Sequence, residues 1–172
     1  VIINKSWPVV LITDSTEAPN IQGTIPAESR YLHEARIEGS NESSLLAEYY
    51  AVVMPLQDSL VQAQTAMRSL SNEQKTEANK ALKMLIAELD KTSLSFIKEN
   101  EGHPATLAAL EQLNIDKHSA AYKSVLKSLA TSFSDSDYYV MLKKKYDAAT
   151  TARTIPNQPP PKKKSNRKNG QY

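Results

Sequence analysis

The sequence predicts a mainly α fold: an antiparallel helical hairpin built into a bundle of about five helices, with a small β segment before it and a disordered tail after it. Three observations carry that reading. From Leu45 onward, apolar residues recur by threes and fours through Tyr49, Val52, Leu56, Leu60, Ala63, Met67 and Leu70, the period of a helix face and not of a strand. Ser71-Asn72-Glu73-Gln74 matches the S-x-x-Q capping box, so a second helix starts where the first stripe ends. Only 4 glycines occur in 172 residues, too few for many tight turns or for a phosphate-cradling loop.

Residues 1–38 read as a short β segment. Val9-Val10-Leu11-Ile12-Thr13 is β-branched and apolar between Pro8 and Asp14, and Ile21 to Ile25 and Tyr31 to Ile37 give two further strands. Residues 39–153 read as the helical domain. Its first helix begins near Ser40, a capping residue type, with Glu42 in the first turn. Pro55 removes one backbone donor inside that helix, which predicts a kink near Ala51 to Pro55 and not a stop. The second helix buries Ala78, Leu82, Leu85, Leu89, Phe96 and Ile97, and ends at Asn100-Glu101-Gly102-His103-Pro104, where Gly and Pro punctuate the chain.

A third helix is predicted from Pro104 to Leu113, and a fourth from His118 to Thr131 with Tyr122, Val125, Leu126 and Leu129 inward. A fifth follows Ser134-Asp135-Ser136-Asp137, with Tyr139, Leu142, Tyr146 and Ala149 inward. The two long helices meet at a short connection near Leu70-Ser71, which makes them antiparallel neighbours, Leu56, Leu60 and Met67 facing Leu82, Leu85 and Leu89. Residues 154–172 contain Pro156, Pro159, Pro160 and Pro161 and then a lysine-rich end, a composition that buries too little to order itself.

The formal net charge is +2, but six of the 21 basic residues lie in the last 20 positions: Arg153, Lys162, Lys163, Lys164, Arg167 and Lys168. The body is slightly acidic and the tail basic. There is no cysteine, which excludes disulfides, thiolate nucleophiles and thiolate metal sites. No apolar run approaches the ~18 residues of a membrane span. The chain begins with valine and shows no signal peptide, which reads as an exported protein with its targeting segment removed.

No constellation of side chains predicts catalysis, and no cofactor motif is present. His33, His103 and His118 fall on a strand, a turn and a helix start, without the spacing of a helical metal site. Glu42 with Glu48, and Glu73 with Glu77, read as solvated helix faces. The serines lack a G-x-S-x-G setting and read as caps. Tyr49-Tyr50 and Tyr138-Tyr139 each pair an inward with an outward position. Outward Tyr50 and Tyr138 are therefore candidate partner contacts, beside the plainer reading of tyrosines that fill helix seams with wet hydroxyls. Pro159, Pro160, Pro161, Lys162, Lys163, Lys164, Arg167 and Lys168 form a second candidate partner site. A polybasic tail suits an anionic surface or nucleic acid, although the body offers no basic helix or stacking platform for specific nucleic-acid recognition.

The strings RIEGSNESSLLAEYY, SFIKENEGHPATLAALEQL and SLATSFSDSDYYVMLKKKY, over roughly residues 30–150, resemble a segment of the Bacteroidetes-type envelope thiol–disulfide oxidoreductases, which are often lipoproteins. The segment lies between their N-terminal sheet domain and their thioredoxin domain. The resemblance is carried by Arg36-Ile37-Glu38-Gly39-Ser40 at the strand-to-helix turn, by Phe96-Ile97-Lys98-Glu99-Asn100 at a helix end, and by the stretch from Ser134 to Tyr139. Asp14-Ser15-Thr16 and Asp58-Ser59-Leu60 are similar to the O-glycosylation triplets of such envelopes. The family's C-x-x-C dithiol is absent, so no functional residue carries over.

What the resemblance implies is a non-catalytic helical scaffold or partner-binding domain of a cell-envelope protein, at the periplasm or outer-membrane surface, with another envelope protein as partner. Two other readings stand beside it. One is an accessory module of a thioredoxin-like oxidoreductase whose redox domain is missing from this chain. The other is an adaptor whose basic tail binds an anionic partner.

Overall fold

A computed structural model describes residues 11–12, 18–24 and 33–154. Two strands, β1 (Asn20–Thr24) and β2 (His33–Glu38), form an antiparallel pair with Ile21 opposite Ile37. Five helices follow: α1 (Asn41–Ala66), α2 (Asn72–Glu99), α3 (Thr106–Gln112), α4 (Ser119–Leu129) and α5 (Asp137–Thr154). The mainly helical fold with a small N-terminal sheet is therefore as predicted. The predicted strand at Val9–Thr13 lies outside the described residues except for Leu11 and Ile12, which belong to no regular element. The predicted disordered tail, its proline and lysine candidates, and Asp14-Ser15-Thr16 also lie outside them.

Gly39 turns the chain from β2 into α1 at φ +85°, and a Cβ there would meet the Ala18 carbonyl oxygen at 2.8 Å. Only glycine fits both constraints. Ser40 then caps α1, its hydroxyl oxygen accepting from the Ser43 N–H at 3.3 Å. The neighbouring serines do more than cap. The Ser40 and Ser43 hydroxyls both donate to the Ile12 carbonyl, at 2.7 and 2.8 Å, and Ser43 Oγ accepts the Ile12 N–H at 2.9 Å. Ser44 Oγ donates to the Ile37 carbonyl at 2.5 Å. Serine side chains thus anchor Ile12 and β2 to the start of the helix, supplying partners for their backbone groups.

α1 continues through Pro55, and the Ser59 hydroxyl donates to the Pro55 carbonyl at 2.9 Å. This places the Asp58-Ser59-Leu60 triplet inside a helix whose Leu60 is buried. A 3-10 turn at Met67–Ser69 closes the hairpin. Ser71 and Gln74 form the capping box reciprocally, Gln74 N–H to Ser71 Oγ at 3.4 Å and Ser71 N–H to Gln74 Oε1 at 3.1 Å. The predicted α1 stripe needs one correction. The buried residues are Ser43, Leu46, Tyr49, Val53, Met54 and Leu60, while Val52 is 57% exposed. α1 meets α3 as well as α2, and that second neighbour moves the buried face by one residue.

The core gathers Leu46, Tyr49, Val53 and Leu60 of α1, Leu89 and Ile97 of α2, Leu107, Ala108, Ala109 and Leu110 of α3, and Tyr122, Val125, Leu126, Leu129, Tyr139 and Leu142. Buried tyrosines hold it by specific bonds. Tyr49 OH pairs with Ser93 Oγ at 2.8 Å, Tyr122 OH donates to the Leu110 carbonyl at 2.7 Å, and Tyr139 OH donates to the Leu126 carbonyl at 2.9 Å. The Tyr49 and Tyr139 hydroxyls are therefore bonded within the protein, where the seam-filling reading has them wet. Burying a phenol among helices demands such a partner.

Candidate functional site

The side chains with chemical potential fall into three clusters, each joining elements distant in sequence. The first sits where α1 begins. His103 Nδ1 donates to Glu42 Oε1 at 2.6 Å, and the other carboxylate oxygen faces the Ala105 N–H at 3.5 Å. Glu42 is thus not on a solvated face: its side chain is 23% exposed. The α1 N-terminus favours the negative charge, and the turn after α2 brings the imidazole to it. Glu48, Glu73 and Glu77 are exposed, as predicted.

The second cluster centres on Asp90, a buried carboxylate in the middle of α2. Its Oδ2 accepts from Lys117 Nζ at 2.6 Å and from His118 Nε2 at 3.0 Å. Burial alone would raise the carboxyl pKa, but the hydrogen bonds from Lys117 and His118, with their charge, outweigh it and hold Asp90 below its ordinary value. His118 stands at the start of α4 without capping it through its side chain. It serves instead to dock the α3–α4 turn onto α2. A groove of about 380 Å³ runs beside this cluster, walled by Ala87, Lys91, Leu94 and Lys98.

The third cluster contains both tyrosines expected to point outward. Tyr50 and Tyr138 are half-buried and pack against the core. Tyr138 OH donates to Glu111 Oε2 at 2.5 Å. Burial first, then the hydrogen bond to Glu111 and its charge, push the Tyr138 phenol above its ordinary range. Tyr50 is raised by burial and by the same carboxylate. The two tyrosines are therefore neutral phenols brought to one carboxylate by α1, α3 and α5. They act as seam residues with a polar edge, and neither is a ready nucleophile or base at neutral pH.

A further groove of about 430 Å³ lies between α1 and α2, lined by Leu45, Glu48, Val52, Phe96 and Glu99 among others. Val52, displaced from the core, forms one wall of it. Among the described residues, no three His, Asp or Glu side chains are grouped to hold a metal ion, and no helix is long and apolar enough to cross a membrane.

Sequence reasoning missed Asp90 because it sought apolar residues on one α2 face. The signal was present: Asp90, Ser93 and Ile97 step by three and four along a second face. A polar pair on a helical stripe marks a helix covered on two sides. No known protein family, curated protein or solved structure matches the chain.

Proposed function

We propose that this chain is a non-catalytic helical scaffold or partner-binding domain, and, on the resemblance of residues 30–150, part of a bacterial cell-envelope protein. One observation supports it above the rest: the carboxylates, imidazoles and phenols that chemistry would draw on are occupied as ties between helices. Glu42 holds His103, Asp90 holds Lys117 and His118, and Glu111 holds Tyr138. Each pair joins elements far apart in sequence, and no nucleophile stands within hydrogen-bond reach of either imidazole among the bonds of the described residues. The partner-facing residues in this reading are the exposed edges of Tyr50 and Tyr138, together with Pro159 to Lys164, Arg167 and Lys168.

The test is cross-linked isolation of the chain from envelope fractions of its native cell, run in parallel with a chain lacking residues 156–172 and with Tyr138→Ala. The expected result is one envelope protein recovered with the intact chain and lost with one of the variants. Recovery of no protein with the intact chain would overturn the reading. So would turnover of a disulfide substrate above the uncatalysed rate.

A further inference from the structure

The outer face of α2 carries a charge pattern that the packing of the chain leaves exposed, with one loose pair, Glu88 and Lys91, inside it. Met84, 67% exposed, is the most exposed large apolar side chain among the described residues. Around it, Glu77, Lys80, Ala81, Ala87, Glu88 and Lys91 are also exposed. At about 100° per residue, these seven positions fall within roughly 60° of Met84 on either side. Elsewhere on the helix, Leu82, Leu85 and Leu89 lie toward the hairpin seam, Ser93 meets Tyr49 of α1 and Asp90 meets the α3–α4 turn, while Lys83 and Ile86 are exposed beyond the Met84 face.

Glu77, Ala81, Met84, Glu88 and Lys91 step by four, three, four and three, so they share one face of the helix with Met84 at its centre. The face holds two acids and two bases, so it favours no partner of a single charge sign. Its order is self-complementary. If a second α2 lies antiparallel across a two-fold axis through Met84, each residue faces the one equally far on the other side of Met84. Glu77 is then level with Lys91 of the second copy and Lys80 with Glu88, each within reach of its long side chain, and Met84 meets its own equivalent. A parallel pairing would instead oppose Glu77 to Glu77 and Lys91 to Lys91. Only the antiparallel register brings opposite charges together at every charged position.

We infer that the chain forms an antiparallel homodimer through the outer face of α2, with Met84 on the two-fold axis. The contact is a single helix pair with an apolar centre and charged flanks, the anatomy of a small interface. Within each chain Glu88 and Lys91 are 3.7 Å apart, with both side chains more than half exposed. That exposed pair holds little energy and can exchange partners on association. The inference is independent of any other protein the chain binds.

Because the chain has no cysteine, a single introduced thiol reads out the axis directly. Met84→Cys should oxidise to a disulfide-linked dimer, while Met141→Cys, at a site also exposed (46%), should remain monomeric under the same conditions. Sedimentation of the full chain between about 1 μM and about 1 mM should show a monomer–dimer equilibrium. Glu77→Lys should weaken it by about tenfold or more, since it sets like charges opposite each other twice per dimer. Glu77→Lys combined with Lys91→Glu should restore dimerisation. A monomer at every concentration would overturn the inference, as would equal cross-linking at both thiol positions or failure of the double reversal to restore association. Unchanged helical circular dichroism in each variant separates lost pairing from lost folding.

Discussion

The helical hairpin is one continuous element, yet its two ends are built differently. Near its base, the first part of α1 is covered by α3 and the last part of α2 by α3 and α4, with α5 packed on those two, and buried side chains occur on several faces. From Val61 to Glu88, no residue is buried. That distal arm has only the seam between two helices, where Ala63, Met67, Ala78, Leu82 and Leu85 are half-buried. Two helices alone remove one stripe each from water. A third layer is needed before any side chain is enclosed, so the arm relies on caps and local helix propensity while the base relies on packing.

The largest expected effect lies in the base. Leu110→Ala, at a fully buried position of α3, should cost about 2–5 kcal/mol by chemical denaturation, the range for truncating an enclosed leucine. A cost below about 1 kcal/mol would mean the base is as loosely packed as the arm.

Asp90→Ala should follow at about 1–3 kcal/mol, because it strips the half-buried His118 of its acceptor and releases the α3–α4 turn. Its pH dependence has a definite sign. The folded carboxyl sits below its ordinary value of 3.8, so its contribution is present above that value and is lost as pH falls through the lower folded value. Denaturation curves measured down the acid limb should therefore converge for wild type and variant. A gap that persists at the most acidic pH would mean that Asp90 works by packing alone.

Leu85→Ala sharpens the comparison most directly, since the residue type is that of Leu110 and only the covering differs. Half-buried in the arm, it should cost about 1–2 kcal/mol, because less surface returns to water and the space left is open to solvent. Amide exchange should agree, with the distal arm opening locally and the base exchanging only on global unfolding. Equal costs for the two leucines would erase the distinction between arm and base. The smallest effect is expected for Ser71→Ala, at about 1 kcal/mol or less, through loss of half the capping box at an exposed helix start. If the arm leans on its caps, this change should speed exchange in the arm and leave the base unaltered.

Much of this architecture is written in short-range pattern. The Ser40 cap, the Ser71–Gln74 box, the breaks at Gly102 and Pro104, the hairpin and all five helices follow from residues within a few positions of one another. They do so because a helix end must satisfy its free backbone groups locally and a helix face repeats every three or four residues. The ties between helices are of another kind. Glu42 and His103 are 61 positions apart, Asp90 and His118 28, and Glu111 and Tyr138 27. Local spacing can mark Asp90 as lying on a covered face, but it names none of these partners. Likewise Val52 and Val53 are equivalent by composition, and only the approach of α3 beside α2 decides which is covered. The sequence by itself determined which segments are helical and where each stops, because those choices are made by the backbone over one or two turns. The tertiary structure alone decided which polar side chains became buried anchors, because a lone carboxylate such as Asp90 is stable inside the protein only once another element delivers its donors.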